Sequence, residues 1–472
     1  MQDIISNFTS GFTDFLNQNE KILKSVKKTE IIISYVVKTE GFSLKGKIDE
    51  LLKNAERSFY FEYPEKKFCF IAQDEILDIT EKGDRRFSAT DKTVKGFSES
   101  LVTNREITGS KRIPLFLGGM KFMVEHPDND WTDFEDSTWF IPKILILINE
   151  KGTFFIFNFL HNTRSSYYSH INFFQKKLDY LLSLQSKKEL PALPKIRKYE
   201  ADTPKEKKKW KQIVNTVIEE IENQRVDKVV LARRNEFLLT DEPSLEGITS
   251  KLVEKYPGCS TFFFHFGKSY FFGASPETIG RFSNNAAEFD ALAGSAPRGK
   301  DKKEDDDFEK QLLSSDKDIE EHNIVIEYIK NNLASVMDEI EIKNQLSVKK
   351  LSNIQHLHTV ISSKIKPGES LLSIIKEIYP TPAVCGSPKD EALHLIKKLE
   401  NFKRGLYSGI IGWFNFENEG DFVVALRSAI SIGTKIIAYA GSGIVKNSDP
   451  NKEFLETELK LKPVMTLFND EI

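Results

Sequence analysis

The chain has 472 residues and nearly balanced charge, with 67 Lys and Arg against 70 Asp and Glu and a net charge of -3. This length is sufficient for a large hydrophobic core, and the charge balance argues against a nucleic-acid polyanion as the main partner. The three cysteines, Cys69, Cys259 and Cys385, are far apart and fit neither a metal-binding nor a disulfide spacing, which favours a reducing compartment.

The first 19 residues lack the basic start and the long apolar core of a signal peptide. No apolar run in the sequence approaches the length that crosses a membrane. We therefore expect a cytoplasmic protein without a membrane partner.

Residues 1–195 are predicted to form an N-terminal α/β region that is rich in strands. Its many aromatic and β-branched residues favour a sheet that is packed on both faces. The predicted strands are 30–37, 58–63, 67–72, 114–122, 139–148 and 153–160, of which the last two form a hairpin.

Residues 186–202 contain prolines and charged residues and are interpreted as a linker to a second region, 196–472. Thr203 to Glu206 matches a capping box, and the apolar periodicity that follows predicts a helix. The charged run from Lys300 to Lys310 is typical of a solvent-facing loop that leads into a helix.

Two charged residues of the second region stand at the ends of apolar strands. Lys228 begins a predicted strand, where it is either an edge lysine in water or, if directed into a pocket, a general base. Glu277 follows another predicted strand, where it either caps a turn or is held protonated as a general acid. The residues alone leave both alternatives open.

Asp318 and Glu321 open a predicted helix and share one face of it, because they are three residues apart. Such oxygen ligands suit Mg²⁺ rather than zinc, although acidic charge in the first turn of a helix is also common. Arg427 interrupts the predicted apolar strand 422–429. A buried arginine needs an anion, which makes Arg427 a candidate for ligand binding.

The C-terminal stretch 435–460 combines a predicted buried strand, glycines and a helix that starts at Pro450. Gly441 and Gly443 would allow a ligand to approach the backbone closely. Three charged residues of the helix fall on one face: Glu453, Glu456 and Lys460. This face could hold a cation together with a carboxylate ligand, or it could simply be a solvated helix face.

Nine stretches together resemble the chorismate-utilising enzyme family, which contains the isochorismate, salicylate, anthranilate and aminodeoxychorismate synthases. They follow the family's order: KVVLARR (228–234), FFGASPETIGRF (271–282), LAGSAPRG (292–299), KDIEEHNIV (317–325), QHLHT (355–359), YPTPAVCGSP (379–388), RGLYSGIIGW (404–413), FVVALRSA (422–429) and AGSGIVKNSDPNKEFLETELK (440–460). Agreement over nine ordered blocks is far more specific than a single motif. The resemblance implies an α/β (α+β) fold, with large antiparallel-rich β-sheets packed in a core and helices outside.

Within the family, Lys228 is similar to the water-activating lysine of isochorismate and salicylate synthases, and Ala293 differs from the lysine of aminodeoxychorismate synthases. The segment 379–388 is most similar to isochorismate synthases. The resemblance therefore implies Mg²⁺-dependent isomerisation of chorismate to isochorismate, in menaquinone or siderophore biosynthesis. One alternative is a salicylate synthase, which also eliminates pyruvate; another is a catalytically silent relative that only binds chorismate or a partner protein.

The resemblance also implies the role of each site residue. Lys228 would deprotonate a water that attacks ring C2, and Glu277, on the opposite face, would protonate the departing C4 hydroxyl. The expected Mg²⁺ ligands are Glu321 and Glu456 directly, and Asp318 and Glu453 through water. The expected substrate-binding residues are Arg427, Tyr407, Gly441, Gly443, Lys460 and His356. As partners, the resemblance implies chorismate but no nucleic acid and no glutamine amidotransferase subunit, in a monomer or weak homodimer.

Overall fold

The computed structural model describes residues 2–25, 30–53, 55–98, 100–124, 130–161, 167–186, 189–199, 203–344 and 346–469. The helices are α1 (Gln2–Gln18), α2 (Glu20–Ser25), α3 (Ile48–Leu52), α4 (Arg86–Phe97), α5 (Tyr168–Ser183), α6 (Thr203–Glu222), α7 (Leu245–Lys255), α8 (Lys302–Leu313), α9 (Asp316–Leu333), α10 (Leu371–Ile378), α11 (Lys389–Leu399) and α12 (Pro450–Phe468). None of these helices, within the residues just given, is long and apolar enough to cross a membrane.

The strands belong to one branched, mainly antiparallel sheet. They are β1 (Ile31–Thr39), β2 (Arg57–Tyr63), β3 (Phe68–Glu81), β4 (Leu101–Thr103), β5 (Phe116–Met120), β6 (Ser137–Asn149), β7 (Gly152–His161), β8 (Ile196–Tyr199), β9 (Lys228–Leu239), β10 (Ser260–Phe266), β11 (Ser269–Ser275), β12 (Thr278–Ser283), β13 (Ala286–Pro297), β14 (Met337–Ile342), β15 (Ser347–Lys350), β16 (Ile354–Ile365), β17 (Gly386–Ser387), β18 (Ile410–Phe414), β19 (Gly420–Val424), β20 (Ser428–Ile432) and β21 (Lys435–Ile444).

Two arms diverge from the long strands β3 and β6. β6 pairs with β5 through residues 137–140 and with β7 through residues 144–149. One arm continues from β3 through β2, β10, β11, β20 and β21 to β9. The other continues from β5 through β18, β19, β12 and β13 to β16. The fold class predicted from the sequence is confirmed.

Alternation along the strands separates the hydrophobic core into clusters. On β18, Ile411 and Trp413 join a cluster rich in aromatic side chains that receives residues from both arms. Ile410 and Phe414 on the same strand belong to a second cluster, which includes residues of α6, α9 and α10. A third cluster joins α1, α5 and α7 to the arm that runs from β3 to β9. Both faces of the sheet are therefore covered, as the sequence predicts.

The sheet runs without interruption through the predicted boundary between residues 195 and 196. β2 pairs with β10, and β5 pairs with β18. Glycines make the second of these contacts close, because a Cβ atom at Gly119 would collide with the carbonyl oxygen of Ile410. A Cβ atom at Gly409 would likewise collide with the carbonyl oxygen of Met120. The two-region division itself stays a prediction.

Two sequence predictions about irregular segments are wrong. Most of the charged run 300–310 lies in α8, which begins after an N-cap, Asp301, whose side chain accepts a hydrogen bond from the Glu304 amide at 2.9 Å. The segment interpreted as a linker contains β8, which adds a strand to the edge of β9.

Candidate active site

A pocket with an empty volume of about 640 Å³ brings together most of the predicted site residues. Residues from β9, β13, β16 and β21, from α9 and α12, and from several connections line it. The predicted residues on its wall are Glu277, Glu321, His356, Tyr407, Arg427, Gly441, Gly443, Glu456 and Lys460. The remaining three, Lys228, Asp318 and Glu453, contact residues of this wall or of the elements that carry it.

Lys228 is completely buried at the start of β9. Its ammonium group lies 2.8 Å from Oε1 of Glu321, which projects from α9. The neighbouring strand β21 has a glycine at this point: a Cβ atom at Gly443 would lie 2.9 Å from Lys228 Cε and would collide with Glu321 Oε1. The lysine therefore points into the protein beside the pocket, and the prediction of an edge lysine in water is excluded.

Glu277 lies in the short connection between β11 and β12 and is 3% exposed. Burial and the nearby charge of Asp290 raise the pKa of the Glu277 carboxyl to about 8, although Lys228 and Lys460 act in the opposite direction. The group is therefore mainly protonated at neutral pH. Because the charge of Lys228 affects the pKa of Glu277, the two side chains lie at one site.

The peptide groups on both sides of Glu277 are held by charged side chains. Lys349 Nζ donates a hydrogen bond to the carbonyl oxygen of Pro276 at 2.6 Å. The amide of Thr278 donates to Asp290 Oδ2 at 3.2 Å. The sequence analysis did not identify Lys349 or Asp290; β13 also carries a second carboxylate, Glu288, so no local signal distinguishes Asp290.

Arg427 does not lie within a strand as predicted. β19 ends at Val424, and Arg427 occupies the connection to β20 with a φ of 50°, in the left-handed region that side chains rarely adopt. Its guanidinium is buried, and Nη1 has no hydrogen-bond partner in the described part of the chain. An unpaired buried donor at a pocket wall is suited to bind an anion.

His356 lies beside Arg427 as a neutral imidazole. Its Nε2 atom is 2.9 Å from Arg427 Nη2 and must accept that hydrogen bond, because a guanidinium can only donate. Its Nδ1 atom therefore carries the proton, and it lies 2.9 Å from Ser295 Oγ and 3.2 Å from the Gly294 oxygen. Burial and the charge of Arg427 lower the pKa of His356 well below its ordinary value.

Gly441 and Gly443 lie within β21, which extends beyond the predicted strand and pairs with β9 as far as Ile444. A Cβ atom at Gly441 would lie 3.0 Å from Tyr407 Oη, so the glycine provides space for this tyrosine. Burial raises the pKa of Tyr407 to about 12. Lys460 Nζ donates a hydrogen bond to the Gly441 oxygen at 3.0 Å, which holds the ammonium group of Lys460 at the pocket wall.

Carboxylates from α9 and α12 meet on one side of the pocket, and lysines neutralise them. Glu321 pairs with Lys228 at 2.8 Å, Glu456 with Lys460 at 2.6 Å and Glu453 with Lys317 at 2.7 Å. Burial would lower the pKa of Lys317, but the charges of these three glutamates raise it to about 12. All three carboxylates therefore act on the half-buried ammonium group of Lys317, and Glu321 and Glu456 do so in addition to pairing with their own lysines.

The predicted metal ligands are suitable in chemistry but are engaged with lysines in this structure. In the residues that the structure describes, no group of three or more His, Cys, Asp or Glu side chains is arranged to hold an ion. The donor set nevertheless contains only oxygen, as Mg²⁺ prefers, and Glu321 and Glu456 line the same pocket. Asp318 differs from the others because it accepts a hydrogen bond from Ser315, the N-cap of α9.

Lys317 and Ser442 are two site residues that the sequence analysis did not identify. Lys317 precedes Glu321 by four residues and thus shares its helix face, which is a signal the sequence contains. Ser442 donates a hydrogen bond to Glu453 from β21. Its partner is eleven residues away on another element, so spacing could not indicate this contact.

Comparisons with known proteins identify the family of the chain. A family model described as chorismate binding enzyme matches residues 16–469. Isochorismate synthase MenF of Bacillus subtilis is 27% identical over 423 residues, which cover 88% of each chain. The salicylate biosynthesis isochorismate synthase of Pseudomonas aeruginosa is 29% identical over 403 residues, covering 85% of this chain and 83% of that protein.

Solved structures show the same fold. The menaquinone-specific isochorismate synthase MenF from Escherichia coli aligns with a TM-score of 0.74 at 22% identity, covering 97% of this chain and all of that one. Anthranilate synthase component I from Streptococcus pneumoniae aligns with a TM-score of 0.68 at 20% identity, covering 85% of this chain and 92% of that one.

Proposed function

The chain belongs to the family of chorismate-binding enzymes, and from this premise we propose that it is an isochorismate synthase, an isomerase that converts chorismate to isochorismate. The observation that carries the proposal is a buried lysine, Lys228, beside a pocket whose wall contains a buried glutamic acid, Glu277, that is mainly protonated at neutral pH. A protein that only binds chorismate has no need of such an acid–base pair.

The substrate is a dianion, and the pocket offers positive groups to hold it. Arg427 has an unpaired buried Nη1 atom, and the neutral His356 fixes the orientation of the guanidinium from the other side. Tyr407 and Lys460 add a hydroxyl and an ammonium to the same pocket. Of the two carboxylates of chorismate, we assign the one that lies farther from the glutamates of α9 and α12 to Arg427 and Tyr407.

The chemistry is an exchange of hydroxyl position without oxidation or reduction. Lys228 takes a proton from a water that attacks ring C2, and Glu277 gives its proton to the C4 hydroxyl, which leaves as water. One water enters and one leaves, so the product is an isomer of the substrate. The base and the acid then exchange protons with solvent before the next cycle.

Glu321 and Glu456 would hold Mg²⁺, with Asp318 and Glu453 contacting it through water. The bound ion would supply positive charge for the ring carboxylate and withdraw electron density from the ring. With the ion bound, Glu321 would contact it instead of Lys228. Lys228 would then act as the base once its ammonium group has given a proton to solvent. The contact at 2.8 Å thus keeps the lysine next to the place where it is needed.

The direct test is the identity of the product. Purified protein should convert chorismate to isochorismate, separated by chromatography, and a chelator should stop the reaction until Mg²⁺ is added again. Formation of salicylate and pyruvate by the purified protein alone would replace the proposal with a salicylate synthase. Formation of anthranilate in the presence of ammonia, without isochorismate, would overturn the assignment of Lys228 as a water-activating base.

A further inference from the structure

Charged side chains from two strands hold the backbone on each side of Glu277. Lys349, on β15, donates to the carbonyl oxygen of Pro276, and Asp290, on β13, accepts from the amide of Thr278. These two contacts fix both peptide groups next to Glu277 and hence the direction of its side chain. Neither Lys349 nor Asp290 is on the pocket wall, so any effect that they have on the reaction is exerted through residues that are, and Glu277 is the one whose backbone they hold.

Lys349 and Asp290 are parts of one cluster that also contains His358 of β16. Lys349 Nζ lies 3.9 Å from Asp290 Oδ2, and His358 Nε2 lies 3.0 Å from Asp290 Oδ1. Since a carboxylate only accepts, His358 Nε2 carries the proton of this bond. The three side chains are 14–22% exposed, so solvent screens their charges only in part.

The two charges of the cluster act on Glu277 in opposite directions. The Asp290 carboxylate raises the pKa of Glu277 and the Lys349 ammonium lowers it, with burial as the largest cause of the net rise. Burial opposes ionisation of Asp290, but the hydrogen bond from His358 and the charge of Lys349 hold its pKa well below the usual range. The Asp290 carboxyl is therefore ionised over the pH range in which Glu277 titrates.

Two further cations face Glu277, and neither belongs to the cluster. Lys228 faces it from β9 and Lys460 from α12, and both lower the pKa of the carboxyl. Arg281, on β12, acts on Asp290 rather than on Glu277. Substitutions in the cluster leave these three residues unchanged, so a change in the titration of Glu277 can be assigned to the cluster.

We propose that Lys349, Asp290 and His358 form a positioning cluster that orients Glu277 and sets how readily it releases its proton. This inference rests on the proposed function, in which Glu277 is the proton donor. No member of the cluster lines the pocket, although the charge of Lys349 also lowers the pKa of His356. The cluster thus adds three residues to the machinery of the reaction without adding a new contact to chorismate.

The test exploits the opposite signs of the two charges. In Asp290→Asn, the alkaline limb of kcat/KM for isochorismate formation should move to lower pH by roughly one unit, because a like charge beside the acid is lost. In Lys349→Met, the limb should move to higher pH by a similar amount. Residues with a merely structural role would reduce turnover in both variants and move neither limb.

Glu288→Gln is a matched control. Glu288 lies on β13 two residues before Asp290 and pairs with Lys343 at the surface. Its removal should leave the pH profile unchanged. Lys349→Arg, which keeps the charge and a donor, should restore the profile that Lys349→Met loses.

A readout independent of turnover separates this inference from the proposed function. The protonated carboxyl of Glu277 can be followed by infrared difference spectra between each protein and the same protein carrying Glu277→Gln, as a function of pH. Shifts of opposite sign in Asp290→Asn and Lys349→Met support the cluster even if the wild-type protein fails to isomerise chorismate. Identical titrations in wild type and both variants would overturn it even if the wild type is an isochorismate synthase.

Discussion

Lys228 is completely buried, and its ion pair in the described part of the chain is with one carboxylate, that of Glu321. Replacement by methionine keeps most of the side-chain volume and removes the base. We expect Lys228→Met to lose about 10²–10⁴-fold in kcat, the usual contribution of a general base, while chorismate still binds through Arg427 and Tyr407. Product formation under single turnover and binding calorimetry measure the two effects separately.

Lys435→Met is the matched control, since Lys435 is also a strand lysine in an ion pair, with Asp130, but lies outside the pocket. It should keep wild-type turnover. Full activity in Lys228→Met would contradict the assignment of the base.

Glu277 gives the reaction a predictable pH dependence. A general acid works only while protonated, and burial raises the pKa of this carboxyl to about 8. The rate should therefore be nearly constant at neutral pH and fall as the pH rises through about 8, because the proton is then lost before the reaction starts. Measurement of kcat/KM against pH tests this expectation.

Glu277→Gln should remove the alkaline limb together with most of the activity. Glu62 provides a control, because burial also raises its pKa although it lies on β2, away from the pocket. Glu62→Gln should leave the profile unchanged. A rate that stays constant from neutral to strongly alkaline pH would contradict the role of Glu277.

At the scale of elements, β21 has a glycine, Gly443, at the point where side chains of α9 and β9 approach it, and this allows the site to form. A Cβ atom at Gly443 would collide with Glu321 Oε1 and lie 2.9 Å from Lys228 Cε. Gly443→Ala should displace both groups and reduce kcat by about 100-fold, the usual effect of misplacing reacting groups by about 1 Å. Steady-state kinetics and thermal unfolding would show an inactive but folded protein.

Gly96→Ala is a suitable control for that substitution. Gly96 is in α4, and a Cβ atom there meets nothing within 4 Å. Activity should stay at the wild-type level. Wild-type activity in Gly443→Ala as well would show that the close approach of Glu321 and Lys228 to β21 is not needed.

The elements that carry the predicted site were readable from local patterns. α12 begins at Pro450 behind the N-cap Asp449, and α9 begins after the N-cap Ser315, as capping rules indicate. The sequence does not predict α8, because the dense charge of residues 300–310 is typical of a loop. Asp301 is nevertheless an N-cap, with Glu304 three residues later. Local charge is a poor guide to a helix whose ends are stabilised by hydrogen bonds.

The remaining errors arise where tertiary contacts decide the backbone. The apolar run 422–429 predicts a single strand, but Arg427 turns out of it, and its carbonyl oxygen accepts a hydrogen bond from the Ala274 amide of β11. The cluster around Glu277 could not be predicted either. Asp290 and His358 are 68 residues apart and meet only through the register of β13 with β16.

At the scale of the whole molecule, the sheet predicts how the protein unfolds. β10 and β18 of the second region each pair with a strand of the first, β2 and β5. We expect one cooperative transition in scanning calorimetry, because neither region can unfold without exposing the partner strands of the other. The isolated fragment 196–472 should fail to fold for the same reason.

A cut within residues 186–199 provides a control for that expectation. The two pieces of a cleaved but otherwise intact protein should stay associated and unfold together, since the strand pairs remain. Two separate transitions, or a stable isolated fragment, would show that the regions are independent domains.

Because β5 packs closely against β18, the N-terminal region supports the pocket wall from the side that faces away from the substrate. Gly119 faces the Ile410 backbone, and Gly409, which follows the pocket residues Tyr407 and Ser408, faces that of Met120. A larger residue at position 119 would contact no substrate-binding residue, but it would displace the Ile410 backbone and with it the adjacent pocket wall. Loss-of-function alleles should therefore arise in a stretch of chain that contributes no atom to the reaction.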